Sequence, residues 1–367
     1  MTPILLTPGP VTTSEHVRRA MLQDSGTWDD DYLSLTQNVR SQILQLATKD
    51  VADFAVVLLQ GSGTYAVEAA LSSMVPRTGT LGILINGAYG ERMLDIAQRC
   101  NIPTEVLRIA ESSPLSRVHI VKLLANNPNL THVALVHCET TTGIINPIIE
   151  LAGEMRNRGI TLIVDAISSF GGYALDMNQL GIDILIGTAN KCLQGVPGIA
   201  FVVARRKCLE EAEGHPVSLS LDLAAQWREM EQHPGKWRFT SPTQVLQALA
   251  AALAELEMEG GVGERARRYQ ANHDALVARM RSLGYATLLR DSCQSRIVTT
   301  FLYPHPQFDF GVFYKRLKAR GFLIYPGKTT LADTFRIGHI GAVDVAVMDR
   351  VADAVGEIGM AHALLPT

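Results

Sequence analysis

The stretch IDILIGTANKCLQGVPGIAFVV, residues 182–203, sets two apolar runs on either side of one amine. Residues 182–186 read as a buried strand and 199–203 as another. The link between them holds Gly195, Pro197 and Gly198 and carries no helical pattern. Parallel neighbours need a long crossover, so 199–203 is expected to be the one antiparallel member of its sheet. Lys191 is the only charged residue between Asp183 and Arg205. A charged amine is costly to bury there unless it is paired or used. A desolvated lysine loses its proton readily and attacks carbonyls, which makes Lys191 a Schiff-base candidate. Lysines at strand ends also snorkel to the surface, and this stretch alone leaves both readings open.

Outward from it, apolar runs at 55–59, 81–85, 132–136 and 161–164 alternate with helical patterns at 64–74, 90–100, 115–126 and 147–158. That alternation predicts an α/β fold, with a mostly parallel sheet covered by helices on both faces. Pro3, Pro8, Gly9 and Pro10 predict an irregular start over 1–30, followed by a helix near 33–48. After 240 the character changes. Long helices are expected at 244–258 and 264–282, the second with its Arg and His residues outward. A strand at 297–302, a helix at 309–320, short strands near 322–325 and 334–338, and a helix at 343–358 complete the pattern. The expected division is a large domain over 1–255, including the N-terminal segment, and a smaller α/β domain over 256–367.

The chain has 367 residues, 47% of them hydrophobic, enough for a large core. Its net charge of -3, without a basic cluster, argues against a nucleic-acid partner. No apolar run approaches the ~20 residues that span a membrane, and no secretory signal is visible at the N-terminus. Five scattered cysteines without a CxxC suit free thiols, and the expected location is the cytoplasm. His137 and Glu139 share the His-x-Glu spacing of zinc deaminases, but no Pro-Cys-x-x-Cys follows. With no Cys or His cluster at ligand spacing, no metal site is expected.

Ligands of open α/β sheets gather at the carboxyl ends of the strands. The first strand ends in Gly61-Ser62-Gly63-Thr64 before a helix, a set of small residues suited to an anion. A plain strand–helix turn would look the same. The second ends in NGAYG, where Tyr89 can stack on a planar ring. The third ends in HCETTTG, with short hydroxyls. The fourth ends in Asp165, the only charge between Arg158 and Asp176. Such an aspartate can cap a turn, or hold a proton on a ring nitrogen, and a buried one wants a cationic partner. Asp165 precedes Lys191 by 26 residues, at the end of the preceding strand. Lysine, aspartate and phosphate cup are the parts that a pyridoxal phosphate site needs.

The segments LLTPGP (5–10), DSGTWDDDY (24–32), LLQGSGTYAVEA (58–69), NGAYG (86–90) and HCETTTG (137–143) carry a specific resemblance. So do IVDAISSFGG (163–172), ANKCLQGVPG (189–198), GKWRFTSPT (235–243), IYPGK (324–328) and FRIGHIG (335–341). Together they make the chain similar to the class V, fold-type I pyridoxal-phosphate aminotransferases. The resemblance implies that Lys191 carries the cofactor's aldehyde and then shuttles protons, and that Asp165 pairs with the pyridine nitrogen. Ser62, Gly63 and Thr64 would hold the phosphate with Asn190 beside it. Tyr89 would stack on the ring and Thr140 would meet its hydroxyl side. Thr240 would reach the neighbouring subunit's phosphate, so a homodimer with shared sites is expected. Arg336 would bind the acid group of the substrate, although as an isolated residue it also reads as an outward arginine on an edge strand. Within the family the implied exchange moves an amine from 2-aminoethylphosphonate to pyruvate, with alanine or serine and glyoxylate as the alternative pair. A lyase of this fold would need a catalytic cysteine, and neither Cys192 nor Cys293 has a convincing context.

Overall fold

A computed structural model describes residues 3–216 and 218–363. Its centre is a seven-stranded sheet. In spatial order the strands are Phe54–Gly61, Gly198–Arg205, Ile184–Thr188, Thr161–Asp165, His132–Val136, Leu81–Ile85 and Thr104–Arg108. All pair in parallel except Gly198–Arg205, which runs antiparallel to both neighbours, Phe201 facing Leu58 and Gly187. The short link after Lys191 therefore reverses the chain as its composition predicts. The strand before it is shifted, however, to Ile184–Thr188, and the Asp183 side chain just ahead of it meets Arg205 at 2.8 Å and accepts the Leu162 N–H.

Alternation along the strands separates two cores. Val56, Leu58, Val133, Leu135 and Val164 face helices Asp30–Ala47 and Thr243–Met258. Ala55, Val57, Ile83, Ala134 and Ile163 face helices Gly63–Met74 and Ala88–Arg99. Both faces are covered, so the middle strands are apolar except at their ends. The sequence gives no clear sign of Thr104–Arg108, whose half-exposed TEVLR pattern carries Glu105 and Arg108. Its place at the sheet edge explains that polarity.

A second sheet orders Val298–Leu302, Thr334–Gly338 and Tyr325–Pro326, all antiparallel. Phe335 stacks on Phe301 at 5.6 Å beneath helices Gly261–Ser282 and Val345–Ala363. Thr334–Gly338 is the central strand, so Arg336 does not lie on an edge. The N-terminal stretch is also more ordered than its prolines suggest. Ile4–Leu5 pairs in parallel with Phe322–Leu323, and Leu6 enters the small-sheet core. A helix follows at Glu15–Arg19, capped by the Ser14 side chain.

Helix Gly261–Ser282 does not point all its arginines outward. Arg265 is 1% exposed, pairs with Glu259 at 2.8 Å and donates to the carbonyls of Cys192 and Leu193. Tyr269 also donates to the Cys192 carbonyl, at 3.2 Å. This helix thus clamps the loop that follows Lys191, and the need to satisfy those carbonyls accounts for a buried guanidinium.

Candidate active site

A cavity of about 160 Å³ opens at the carboxyl ends of the central strands. Ser62, Gly63 and Thr64 form one wall, Tyr89 another, and Asp165, Asn190 and Lys191 line its base and sides. Seven of the ten residues singled out in the sequence therefore meet in one place. Thr140, Thr240 and Arg336 lie beyond this lining. Thr240, an exposed residue, lines an adjoining recess of about 1020 Å³ that also touches Ser62 and Asn190.

Lys191 follows the strand by three residues and is half-buried because it faces the cavity. Its Nζ donates to the Pro8 carbonyl at 2.6 Å. Burial pushes its pKa down to about 8, with Asp165 among the groups that oppose the fall. The N-terminal segment approaches so closely that a Cβ at Gly9 would stand 2.4 Å from Lys191 Cδ. Gly9 also has φ +132°, which other residues rarely adopt. Nothing in the composition of LLTPGP announces that it lies along the lysine.

Asp165 is 6% exposed at the end of its strand. Its Oδ1 accepts the Ile167 N–H at 2.8 Å, so the turn-cap reading holds. Burial nevertheless pushes its pKa up to about 6 against the pull of that N–H, Lys191 and Arg92. A carboxylate this desolvated favours a cation in the cavity. A positive ring N–H would meet that need.

Ser62 precedes helix Gly63–Met74 in an extended conformation, and its side chain does not cap the helix. Thr64 Oγ1 accepts from Arg92 at 3.1 Å. Arg92 also lies 5.0 Å from the Tyr89 ring centroid and lines the cavity. It looks like an ordinary polar helix residue in the sequence. Its role depends on the packing of two helices, which local sequence does not reveal.

Glu139 is likewise unannounced. It is fully buried, accepts the Tyr89 N–H at 3.0 Å through Oε2, and accepts the Thr141 hydroxyl at 2.9 Å through Oε1. A Cβ at Gly87 would stand 2.2 Å from Glu139 Cγ, so only glycine admits this carboxylate at the start of the Tyr89 helix. Burial pushes the Glu139 pKa up to about 7. Glu139→Ala is expected to cost ~1–3 kcal/mol of stability by stranding the Tyr89 N–H, measured by denaturant unfolding. Glu139→Gln should lose much less, because an amide can accept from Tyr89 and donate to Thr141. Equal losses would contradict this account.

Thr140 Oγ1 is buried without a partner among the described residues, while the Thr140 carbonyl accepts from Arg336 Nη1 at 2.9 Å. Arg336 Nε donates to the Pro326 carbonyl at 3.0 Å. Arg336 is 5% exposed, and burial lowers its pKa from the usual value. Its guanidinium is thus oriented by main-chain carbonyls, with Nη2 free of both bonds.

The family profile described as Aminotransferase class-V matches residues 29–331. The chain belongs to the class-V aminotransferases. This aminotransferase is 52% identical over 355 residues to a Bacteroides fragilis protein named 2-aminoethylphosphonate–pyruvate transaminase, covering 96% of this chain and 98% of the relative. A Bacillus cereus protein of the same name is 48% identical over 354 residues, covering 96% and 97%. Among solved structures, alanine–glyoxylate aminotransferase from Nostoc sp. superposes with TM-score 0.90 at 22% identity, covering 98% of this chain and 95% of that one. Pyridoxamine–pyruvate aminotransferase from Mesorhizobium loti gives TM-score 0.90 at 23% identity, covering 100% and 94%. These last two likenesses bear on the fold.

The five cysteines are free. Cys192 is fully buried, donates to the Ser168 carbonyl at 3.2 Å, and burial raises its pKa. That is the setting of an inert thiol. Among the described residues no His, Cys, Asp and Glu cluster fits a metal ion, and no helix is long and apolar enough to cross a membrane.

Proposed function

We propose that this aminotransferase moves the amino group of 2-aminoethylphosphonate to pyruvate, giving phosphonoacetaldehyde and L-alanine, with pyridoxal 5'-phosphate as cofactor. The observation that carries the reading is the meeting of Lys191, Asp165 and the Ser62–Thr64 cup in one cavity. The names and near-full-length identity of the relatives support the substrate pair.

The residues present fit the cofactor. Asp165 is a buried carboxylate lacking a full counter-charge, Thr140 Oγ1 is an unpartnered hydroxyl, and the cup presents uncapped N–H groups. When bound, the cofactor supplies an electron sink next to the substrate amine. The chain's own residues do the rest. Asp165 keeps a proton on the ring nitrogen. Ser62, Gly63 and Thr64 hold the phosphate, Arg92 orients the Thr64 hydroxyl, and Asn190 stands beside them. Tyr89 covers the ring, held by Glu139. Lys191 would carry the cofactor, and its Nζ would move the proton during the exchange. Its lowered pKa suits that task near neutrality. Arg336 presents its free edge to the acid group of either substrate.

The same reading makes the enzyme a homodimer, with Thr240 serving the partner's site. Tyr65 and Phe239 line the recess at 55% and 53% exposure, and Trp28 is 78% exposed. Apolar side chains of this size fit a face that a second copy covers.

A substrate panel tests the reading. Turnover of 2-aminoethylphosphonate with pyruvate is expected, in a protein that absorbs in the visible range. Activity with alanine and glyoxylate but none with the aminophosphonate would replace the substrate assignment. A colourless, inactive protein would remove the cofactor assignment.

A further inference from the structure

The donor in this reading bears a phosphonate, which can carry two negative charges, whereas the acceptor bears one carboxylate. Arg336 has a single charge, and two of its nitrogens are already bonded to the carbonyls of Pro326 and Thr140. Arg92 is turned toward the cup through Thr64 Oγ1. The second charge of the donor therefore lacks a counter-ion among these groups.

Lys328 supplies one. It lies two residues beyond Pro326, and its Nζ stands 5.7 Å from the centroid of the Tyr89 ring, which lines the cavity. The backbone on either side is pinned. The Gly327 N–H donates to the Thr334 carbonyl at 2.7 Å. The Thr329 hydroxyl and the Thr330 N–H both donate to Glu111 Oε2, at 2.6 and 3.0 Å. Glu111 thus fastens this loop to the large sheet's side of the cleft. Tyr325, on the same strand, pairs with Arg336, so both cations are carried by one small-sheet hairpin. Among the described residues Lys328 makes no salt bridge. An exposed lysine held beside the cavity without an ion pair of its own leaves its charge available to an incoming anion.

We propose that Lys328 is a specificity-determining residue that favours the dianionic phosphonate donor over singly charged acids at the same site. The proposal rests on the substrate reading above.

Steady-state kinetics of wild type, Lys328→Ala and Lys328→Arg test it, with 2-aminoethylsulfonate as a singly charged isostere in competition. Lys328→Ala should raise the KM for 2-aminoethylphosphonate about tenfold, as loss of one charge-assisted contact does. The kcat and the pyruvate KM should stay within about twofold, and the preference for phosphonate over sulfonate should shrink by about the same tenfold factor. Lys328→Arg should restore most of the donor KM. An unchanged phosphonate-to-sulfonate preference overturns the proposal, as does an equal rise in the KM of donor and pyruvate. Wild-type enzyme that ignores 2-aminoethylphosphonate overturns the substrate reading and this proposal with it, whereas a defect confined to the variants bears on Lys328 alone.

Discussion

Lys191→Ala is expected to lower turnover on the order of 10⁴-fold, since in the proposed mechanism one side chain both carries the cofactor and moves the proton. The protein should still fold. The lost contact is one hydrogen bond to the Pro8 carbonyl, and the loop remains clamped by Arg265 and Tyr269. Lys191→Arg should be no better, because a guanidinium cannot release its proton near neutrality. The check is kinetic and covalent together. Borohydride reduction of the wild type, followed by peptide mapping, should mark Lys191. A mark on another lysine, or turnover in Lys191→Ala within tenfold of wild type, would end this assignment.

The second large effect is expected at Asp165. Asn in its place can still accept the Ile167 N–H through its side-chain carbonyl, so the turn survives. It cannot hold a positive ring N–H by charge, and kcat should fall by roughly 10²–10⁴. Stability of the cofactor-free protein should move the other way. Burial raises the Asp165 pKa from 3.8 to about 6, so the folded state resists ionisation. In the wild type this group's contribution is therefore most favourable at low pH and is lost as pH rises from about 4 through 6. Asp165→Asn removes that loss. Its advantage over wild type should grow across the same window and level off above it, as followed by thermal unfolding. A variant less stable than wild type at pH 7, with activity retained, would show that Asp165 serves only as a turn cap.

How much of this site the sequence displays depends on whether a residue's role is local. Lys191 and Asp165 stand out because each is a lone charge in an apolar run, and burial of such a charge is conspicuous in any fold. The GSGT cup is only half visible, because a plain strand–helix turn uses the same small residues. The antiparallel strand is visible because its connection is too short for anything else. Arg92, Glu139 and Pro8 are silent because each acts on a distant neighbour. Arg92 meets Thr64 across two helices, Glu139 reaches from a short strand to the Tyr89 N–H at the start of a helix, and Pro8 meets Lys191 from a distant part of the chain. Arg265 was hidden by the pattern of its own helix, since an amphipathic count places arginine on the wet side unless a carbonyl elsewhere needs it. The edge strand Thr104–Arg108 was hidden for the converse reason: half its surface is meant to be polar.

The pairing of Ile4 with Phe322, and the bond from the Gly338 N–H to the Leu6 carbonyl, also bear on how the molecule is made. The stretch that places Pro8 on Lys191 leaves the ribosome long before Phe322, Leu323 and Gly338, which support it. During synthesis the seven strands of the large sheet can assemble while that stretch has nothing to dock on. Closure of the lysine's surroundings is thus deferred until Phe322–Leu323 and Gly338 have emerged. A nascent chain arrested before the small sheet would hold Lys191 without the support that places its carbonyl partner, and the cavity is finished only once that sheet has formed.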